Sequence, residues 1–467
     1  MEHDQSILAL SIVVLTCIIV LPVAVKGVLG SLTLFEPITV LTVGFLLYFV
    51  LGPLIGLVTD DTAFLGRDFR PEYVRAFLGV AASSALMWIG YALHVGRRVG
   101  TWAARKMSSV STGIESDHKR LYMVHCGWTL MVGGALGILL SQAISRGNVS
   151  AVLLPGVLSA RDPTLTPTAD PSLNYLFLMM EWFIPGYLLL TAAGAIRRRW
   201  VAMVLALSIL VVYVSIGFRF RIVIFLVAAA TVRYAGRPLR RTIPALLVGA
   251  VAVLALIGYV GASRSFYRTG GTYGSPTPDS AAVVEGTRGD SRIFDFYAAV
   301  LDSVPERIGF AGIEPLVAVL VLPIPRGVWA EKPYPEYLGK VGQSVGTPAA
   351  PYAGAAVPNF GEYYIAAGWL GVAVGMSLFG IGARALWAYR KATLRDPLAL
   401  VVFACSLPFL MQTVTRGYTA QIVQEWFFIV FPAVLVSVHW NRRLKRGSTI
   451  AERKLSPTRG GFPVRCV

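Results

Sequence analysis

Charge is scarce in this chain. Only 14% of its 467 residues are Asp, Glu, Lys or Arg, while 55% are hydrophobic and the mean hydropathy is +0.64. That balance excludes an ordinary soluble globular protein and a disordered, highly charged one. Cysteine is scarce too, with four in all. Cys17, Cys126 and Cys405 fall within apolar runs and Cys466 in a basic tail. No pair is placed to form an outward disulfide and no spacing suits a metal. Histidine numbers only five (His3, His94, His118, His125, His439), spread singly along the chain.

Long apolar runs are plentiful. Stretches at 7–25, 32–58, 73–95, 121–143, 173–195, 200–217, 222–234, 243–262, 362–388, 397–415 and 422–440 stand out. Most match the roughly 17–25 residues that cross a hydrocarbon core of about 30 Å. Their length and continuity predict helices rather than the short alternating strands of a membrane barrel. The first run follows Glu2 and Asp4 and lacks a small-residue cleavage site, so it is read as a retained span. The expected fold is an all-α polytopic membrane protein of about eleven helices (ten to twelve).

The formal net charge is +17, which raises the question of nucleic acid. The basic residues are placed otherwise. Lys26, Arg97 to Arg120, Arg197–Arg199, Arg233–Arg241, Arg390–Arg395 and the tail from Arg442 all occupy short connectors. Eleven crossings put every one of these on a single side, and the positive-inside rule makes that side cytoplasmic. Nucleic acid is then unnecessary. The N-terminus and the long loop 263–361 face outward, and the tail 441–467 is expected to be disordered and drawn to lipid.

Two arginines break this order. In VYVSIGFRFRIVIFLV, Arg219 and Arg221 interrupt an apolar run. Only about 33 residues separate the flanking basic clusters, whereas two full crossings need roughly 40. The hairpin is therefore short, and its tip is expected below the outer surface. Deep guanidinium groups need anionic partners. With few carboxylates noted in the neighbouring spans, phosphate oxygens are the favoured partner and anchoring to lipid headgroups the plainer one.

The loop 263–361 has the aromatic and charged content of a folded element rather than a tether. Within it, 308–322 is apolar but carries Glu314–Pro315, predicting an interfacial or re-entrant helix. LPIPRGVWAEKPYPEYLGK follows, its prolines stiffening an extended path that presents Arg326, Trp329, Glu331 and Lys332. At the loop's exit, AAVPNFGEYYIAAGWLG places Asn359 three residues before Glu362, the spacing of a capping box. The alternative for Glu362 is a rim carboxylate able to take a proton.

IPRGVWAEKP (324–333), PNFGEYYIAAGWLG (358–371) and RGDSRIFDFYAAVLDSVPE (288–306) resemble the bacterial oligosaccharide repeat-unit polymerases, the Wzy-type O-antigen and exopolysaccharide polymerases. The hydropathy profile is similar over nearly the whole chain. The resemblance implies a GT-C-like membrane architecture and an outer-leaflet glycosyl transfer, independent of metal and cofactor. The growing glycan passes from undecaprenyl pyrophosphate onto a new lipid-linked repeat. Further implied partners are a flippase and a chain-length-regulating membrane protein. On this reading Arg219, Arg221, Arg264, Arg292, Arg326, Lys332 and Arg416 are candidates to grip the pyrophosphate, and Trp329, Tyr363 and Tyr297 to meet sugar. Glu362 is the first choice of base, with Glu331 and Asp295 behind it.

Rival readings are fewer. A ligase of related lipid-linked glycans is disfavoured by the absence of histidine from the large loop. A polyprenyl-phosphate-sugar transferase would use first-loop acids, which Asp60–Asp61 imitate. A flippase would show two similar halves, and no internal repeat is found.

Overall fold

A computed structural model of the chain describes residues 2–64, 67–107, 114–144, 173–196, 198–216, 219–235, 292–324, 328–329, 331–333, 335–345 and 356–455, with scattered positions in 243–260. The protein is overwhelmingly helical. Eight helical stretches among the described residues are long and apolar enough to cross a membrane, which makes this a helical membrane protein. They coincide with eight of the eleven apolar runs of the sequence. Runs 200–217 and 222–234 form the shorter helices Arg199–Ile216 and Arg219–Tyr234. Of run 243–262 only scattered positions, half of the run, are described.

In chain order the helices are α1 (Glu2–Val28), α2 (Pro37–Phe45), α3 (Gly52–Val58), α4 (Tyr73–Ala92), α5 (His94–Met107), α6 (Ile114–Ile144), α7 (Leu173–Leu178) and α8 (Phe183–Ala192). They continue as α9 (Arg199–Ile216), α10 (Arg219–Tyr234), α11 (Ile293–Ser303), α12 (Glu314–Val321), α13 (Tyr337–Ser344), α14 (Asn359–Ala392), α15 (Pro397–Thr415) and α16 (Thr419–Leu455). A π-helical stretch, Leu46–Leu51, joins α2 to α3 within one span. The strands β1 (Ala63–Phe64) and β2 (Arg67–Asp68) pair antiparallel, Ala63 opposite Asp68.

Two buried clusters organise the molecule. One gathers α1 to α4 with α11, α13 and α14; the other gathers α6, α8, α9, α10, α15 and α16. The helices α4 and α5 pack along α14 through small residues. A Cβ on Gly90 would lie 2.1 Å from the Ser377 carbonyl oxygen, one on Gly380 2.0 Å from that of Met87, and one on Gly100 2.1 Å from that of Ala385. Only glycine permits this approach. Between spans, where lipid is as apolar as leucine, such backbone proximity supplies the packing.

The outer loop is tied into this frame. Helix α11 is buried along almost its whole length. A salt bridge from Arg67 to Asp302 at 2.7 Å, doubled by a second hydrogen bond at 3.2 Å, joins the β-hairpin to it. Helix α12 occupies the segment for which an interfacial or re-entrant helix was expected. It turns Leu316, Val317 and Leu320 outward, with Ile313 just ahead. At the other end of the chain, the expected disorder of the tail 441–467 is corrected over 441–455, where α16 runs on to Leu455, while 456–467 lies outside the described residues. RLKRGSTIAERKL is rich in Arg, Leu, Lys, Ala and Glu, all strong helix formers, so the span simply continues.

Candidate functional site: an arginine recess at one end of the bundle

Helix α10 opens on Arg219, Phe220 and Arg221. Arg221 is 5% exposed, and its Nε stands 2.7 Å from Oε1 of Glu181, which is wholly buried. Glu181 sits in the 3-10 turn Met179–Trp182, and Tyr213 of α9 donates to its Oε2 at 3.3 Å. A second buried carboxylate, Glu425 of α16, accepts from Gln412 Nε2 at 2.5 Å and Gln421 Nε2 at 3.0 Å. Arg221 lies within electrostatic reach of both acids, and Arg416 within reach of Glu425.

The expectation that neighbouring spans offer few carboxylates is thereby corrected. Glu181 and Glu425 each lie in an apolar run, and a lone acid at that depth is itself a signal that a cation faces it. Arg221 is engaged by Glu181, and Arg219 and Arg416 are its cationic neighbours.

Those neighbours line a small, partly enclosed recess. Its walls are Arg219, Phe220, Val223 and Ile224 of α10, Pro408, Met411, Gln412 and Thr415 of α15, then Arg416 and Tyr48. The Phe220 ring has the Arg416 guanidinium carbon 5.1 Å and that of Arg221 5.7 Å from its centroid, so cation–π attraction holds both arginines around one ring. Pro408 is an interior helix proline whose missing N–H loosens α15 beside this wall.

Beside the recess the chain is pinned by Glu362. The turn after α15 packs against the start of α14: Gly417 N donates to the Val357 carbonyl at 2.5 Å, and a Cβ there would lie 2.1 Å from Asn359 N. Glu362 is 1% exposed. Its Oε1 accepts from the Tyr337 hydroxyl at 2.5 Å, and its Oε2 from Thr419 N at 3.1 Å and from the Thr419 hydroxyl. The capping-box expectation is corrected. Asn359 is the first helical residue, its Oδ1 takes Phe360 N at 2.9 Å, and the Glu362 carboxylate serves α13 and α16 instead.

One turn beyond Glu362 the helix breaks, at Ala367 (φ −151°, ψ 28°) and Gly368 (φ 61°, ψ −148°). The carbonyls of Ile365 and Ala366, orphaned by the break, accept from Ala311 N at 2.8 Å and Gly312 N at 3.0 Å.

Asp295 of α11 lines a second, smaller recess with Tyr73, Arg292, Asp61, Gly52, Pro53 and Gly56. Tyr73 donates to Asp295 Oδ1 at 2.5 Å. Arg292 contacts Asp61 at 3.3 Å and the Ala63 carbonyl at 3.1 Å. Tyr48 lines the first recess and Gly52 the second, so the single span Pro37–Val58 contributes to both.

Other expected site residues are placed as follows. Trp329 is 41% exposed and Glu331 is exposed. Lys332 Nζ donates to the carbonyls of Leu322 (3.0 Å) and Ile324 (2.7 Å), closing the end of α12. Tyr363 is partly buried, its ring lying where a Gly375 side chain would be. Tyr297 is 0% exposed and meets Phe360 edge to face at 4.8 Å. A sugar has no face of that ring to stack on, and the sugar-binding expectation for Tyr297 is corrected to a core role. Arg264 and Arg326 lie outside the described residues.

Comparison of the chain with protein-family models, curated proteins and solved structures finds no match.

Proposed function

We propose that this protein is a polymerase of oligosaccharide repeat units, joining glycans carried on undecaprenyl pyrophosphate at the outer leaflet of a bacterial inner membrane. It would have eleven spans and a GT-C-like arrangement with the loop 263–361 outside. The observation that carries the reading is the recess lined by both Arg219 and Arg416, with Arg416 over the Phe220 ring, at the end of the bundle where the outer-loop helices gather. In the proposed reaction an acceptor hydroxyl attacks the anomeric carbon. The bond from that carbon to the pyrophosphate oxygen breaks, and the electron pair leaves with the lipid diphosphate. Guanidinium groups fixed where that charge grows stabilise the transition state, in most acyl- or glycosyl-type transfers the largest electrostatic contribution.

The acceptor proton needs a base. Glu362 was the first choice, but three donors occupy its two oxygens, so we assign it to positioning α13, α14 and α16. Asp295 lines the second recess, to which the span Pro37–Val58 contributes as it does to the first, and takes the role instead. Glu331, exposed beside Trp329, is the reserve.

The test is glycan analysis in a strain relying on variants of the chain. Arg416→Ala, Arg219→Ala and Asp295→Asn are each expected to leave single repeats in place of long polymer, with normal protein in the membrane fraction. Undiminished long polymer in Arg416→Ala and Arg219→Ala together sinks the reading. Truncated repeats would favour a sugar-by-sugar transferase, for which Asp61 facing Arg292 is the supporting placement; an uncapped core would favour a ligase or flippase.

A further inference from the structure

The buried carboxylates of the arginine cluster have no part in the reaction just described. Glu181 is 0% and Glu425 2% exposed, on elements far apart in sequence, and both face the arginines from inside the bundle. A buried ion pair is weak support for stability, since well-packed apolar residues do as well or better. Ionisable groups at such depth point to function. Arg221 and Arg416 face the two carboxylates and Arg219 lines the same recess, so three guanidinium groups and two carboxylates leave a formal excess of a single positive charge. Three arginines alone would hold a diphosphate very tightly in a site of low dielectric.

A further sign points to a guest. Gln412 is 6% exposed, lines the recess and gives its Nε2 to Glu425; among the described residues nothing donates to its Oε1. That acceptor suits a sugar hydroxyl next to the phosphates.

We propose that Glu181 and Glu425 are counter-charges that limit how tightly the arginine recess holds a diphosphate headgroup, so that the spent lipid diphosphate can leave after each transfer. The inference rests on the polymerase reading for its biological purpose, but its binding test stands apart. The two acids are positioning residues: they act through Arg221 and Arg416 and touch no substrate.

Glu425→Gln removes the charge and keeps the shape, and the partly exposed Gln421 can turn its amide to meet the new NH2. Calorimetric titration of the full chain in detergent with farnesyl diphosphate is expected to give a Kd lower by about tenfold than the unsubstituted protein's. Glu181→Gln, which keeps an acceptor for Tyr213, is expected to shift Kd in the same direction. In membranes supplied with lipid-linked repeats, KM and kcat should fall together, because release slows. A purely structural role would weaken binding and raise KM. Glu425→Asp, which restores the charge, should restore the Kd.

Unchanged or weaker binding in both folded Gln variants overturns the proposal. So does an unsubstituted protein that retains farnesyl diphosphate through gel filtration, since nothing would then be tempered; that measurement needs no variant to fold. Inorganic pyrophosphate, titrated in parallel, should bind more weakly than farnesyl diphosphate; equal affinity means a free-phosphate site and overturns the lipid assignment. If the Kd shifts appear while Arg416→Ala cells still make polymer, the recess inference stands and the polymerase reading falls. If polymer is lost in Arg416→Ala but Kd does not move in the Gln variants, the reverse holds.

Discussion

At the scale of single residues, Arg221 is the position where local chemistry is most demanding. Its guanidinium and the Glu181 carboxylate are both withdrawn from water, so each depends on the other. Arg221→Ala leaves a buried carboxylate uncompensated, and a loss of about 3–5 kcal/mol is expected, read as a lower unfolding midpoint in detergent. Exchanging both partners, Arg221→Met with Glu181→Leu, should return most of that stability, because neither charge is then stranded. A double variant as unstable as the single would show that the pair itself holds the bundle. Glu362 differs, since its partners are three neutral donors. Glu362→Gln sets an NH2 group against one of the donors from Thr419 and Tyr337, and a loss of about 1–3 kcal/mol follows from the unmet bond. A variant with the parent's unfolding midpoint would remove the locking role given to this carboxylate.

At the scale of elements, two glycine positions carry testable weight. Gly368 takes φ 61° where α14 breaks, and a Cβ would lie 3.1 Å from the Phe310 ring. Gly368→Ala combines left-handed strain with that contact, and about 1–2 kcal/mol of destabilisation is expected in thermal unfolding. Gly90→Leu should be worse, because its first carbon already meets the Ser377 carbonyl oxygen at 2.1 Å and backbone must move; normal membrane yield and an unshifted midpoint would contradict the close crossing of α4 and α14. Neither constraint is legible in the sequence. Apolar length marks spans, and it found eight long helices at nearly their observed places, because burial in lipid is a property of each segment alone. Which glycine faces which helix depends on pairs of segments distant in the chain. The same division runs through the site. Arg219, Arg221 and Glu362 stood out as polar residues in apolar surroundings. Glu181 and Glu425 gave the same signal and were passed over, and the pairing of Arg221 with Glu181 needed the fold. Tyr297 misled because composition ranks an aromatic as a sugar platform, while its burial against Phe360 is decided by α11 packing inward.

At the scale of the whole molecule, the polar contacts sort themselves by end. Lys119 meets Asp396 at 2.9 Å, Arg120 donates to the carbonyls of Ala193 and Gly194, Arg443 lies over Tyr122, and Lys26 pairs with Glu36. All belong to connectors that the charge pattern assigns to one side. The arginine recess, Glu362 with Tyr337 and Thr419, and the β-hairpin with Asp302 belong to connectors assigned to the other. These contacts join connectors assigned to the same side, which is what the proposed topology requires. Eight long helices alone would return the two termini to the same side. On the proposed topology α9, α10 and the run 243–262 would make eleven and set them on opposite sides, with the basic side inward by the positive-inside rule. In a background with the native cysteines replaced, Glu306→Cys should react with a membrane-impermeant maleimide in intact spheroplasts. Arg395→Cys should react only after lysis, and a C-terminal tag should resist protease that removes an N-terminal one. Both tags cut together would reduce the count by a crossing, and labelling of Arg395→Cys from outside would turn the arginine recess toward the cytoplasm, where a lipid-linked glycan assembled for export could not be polymerised.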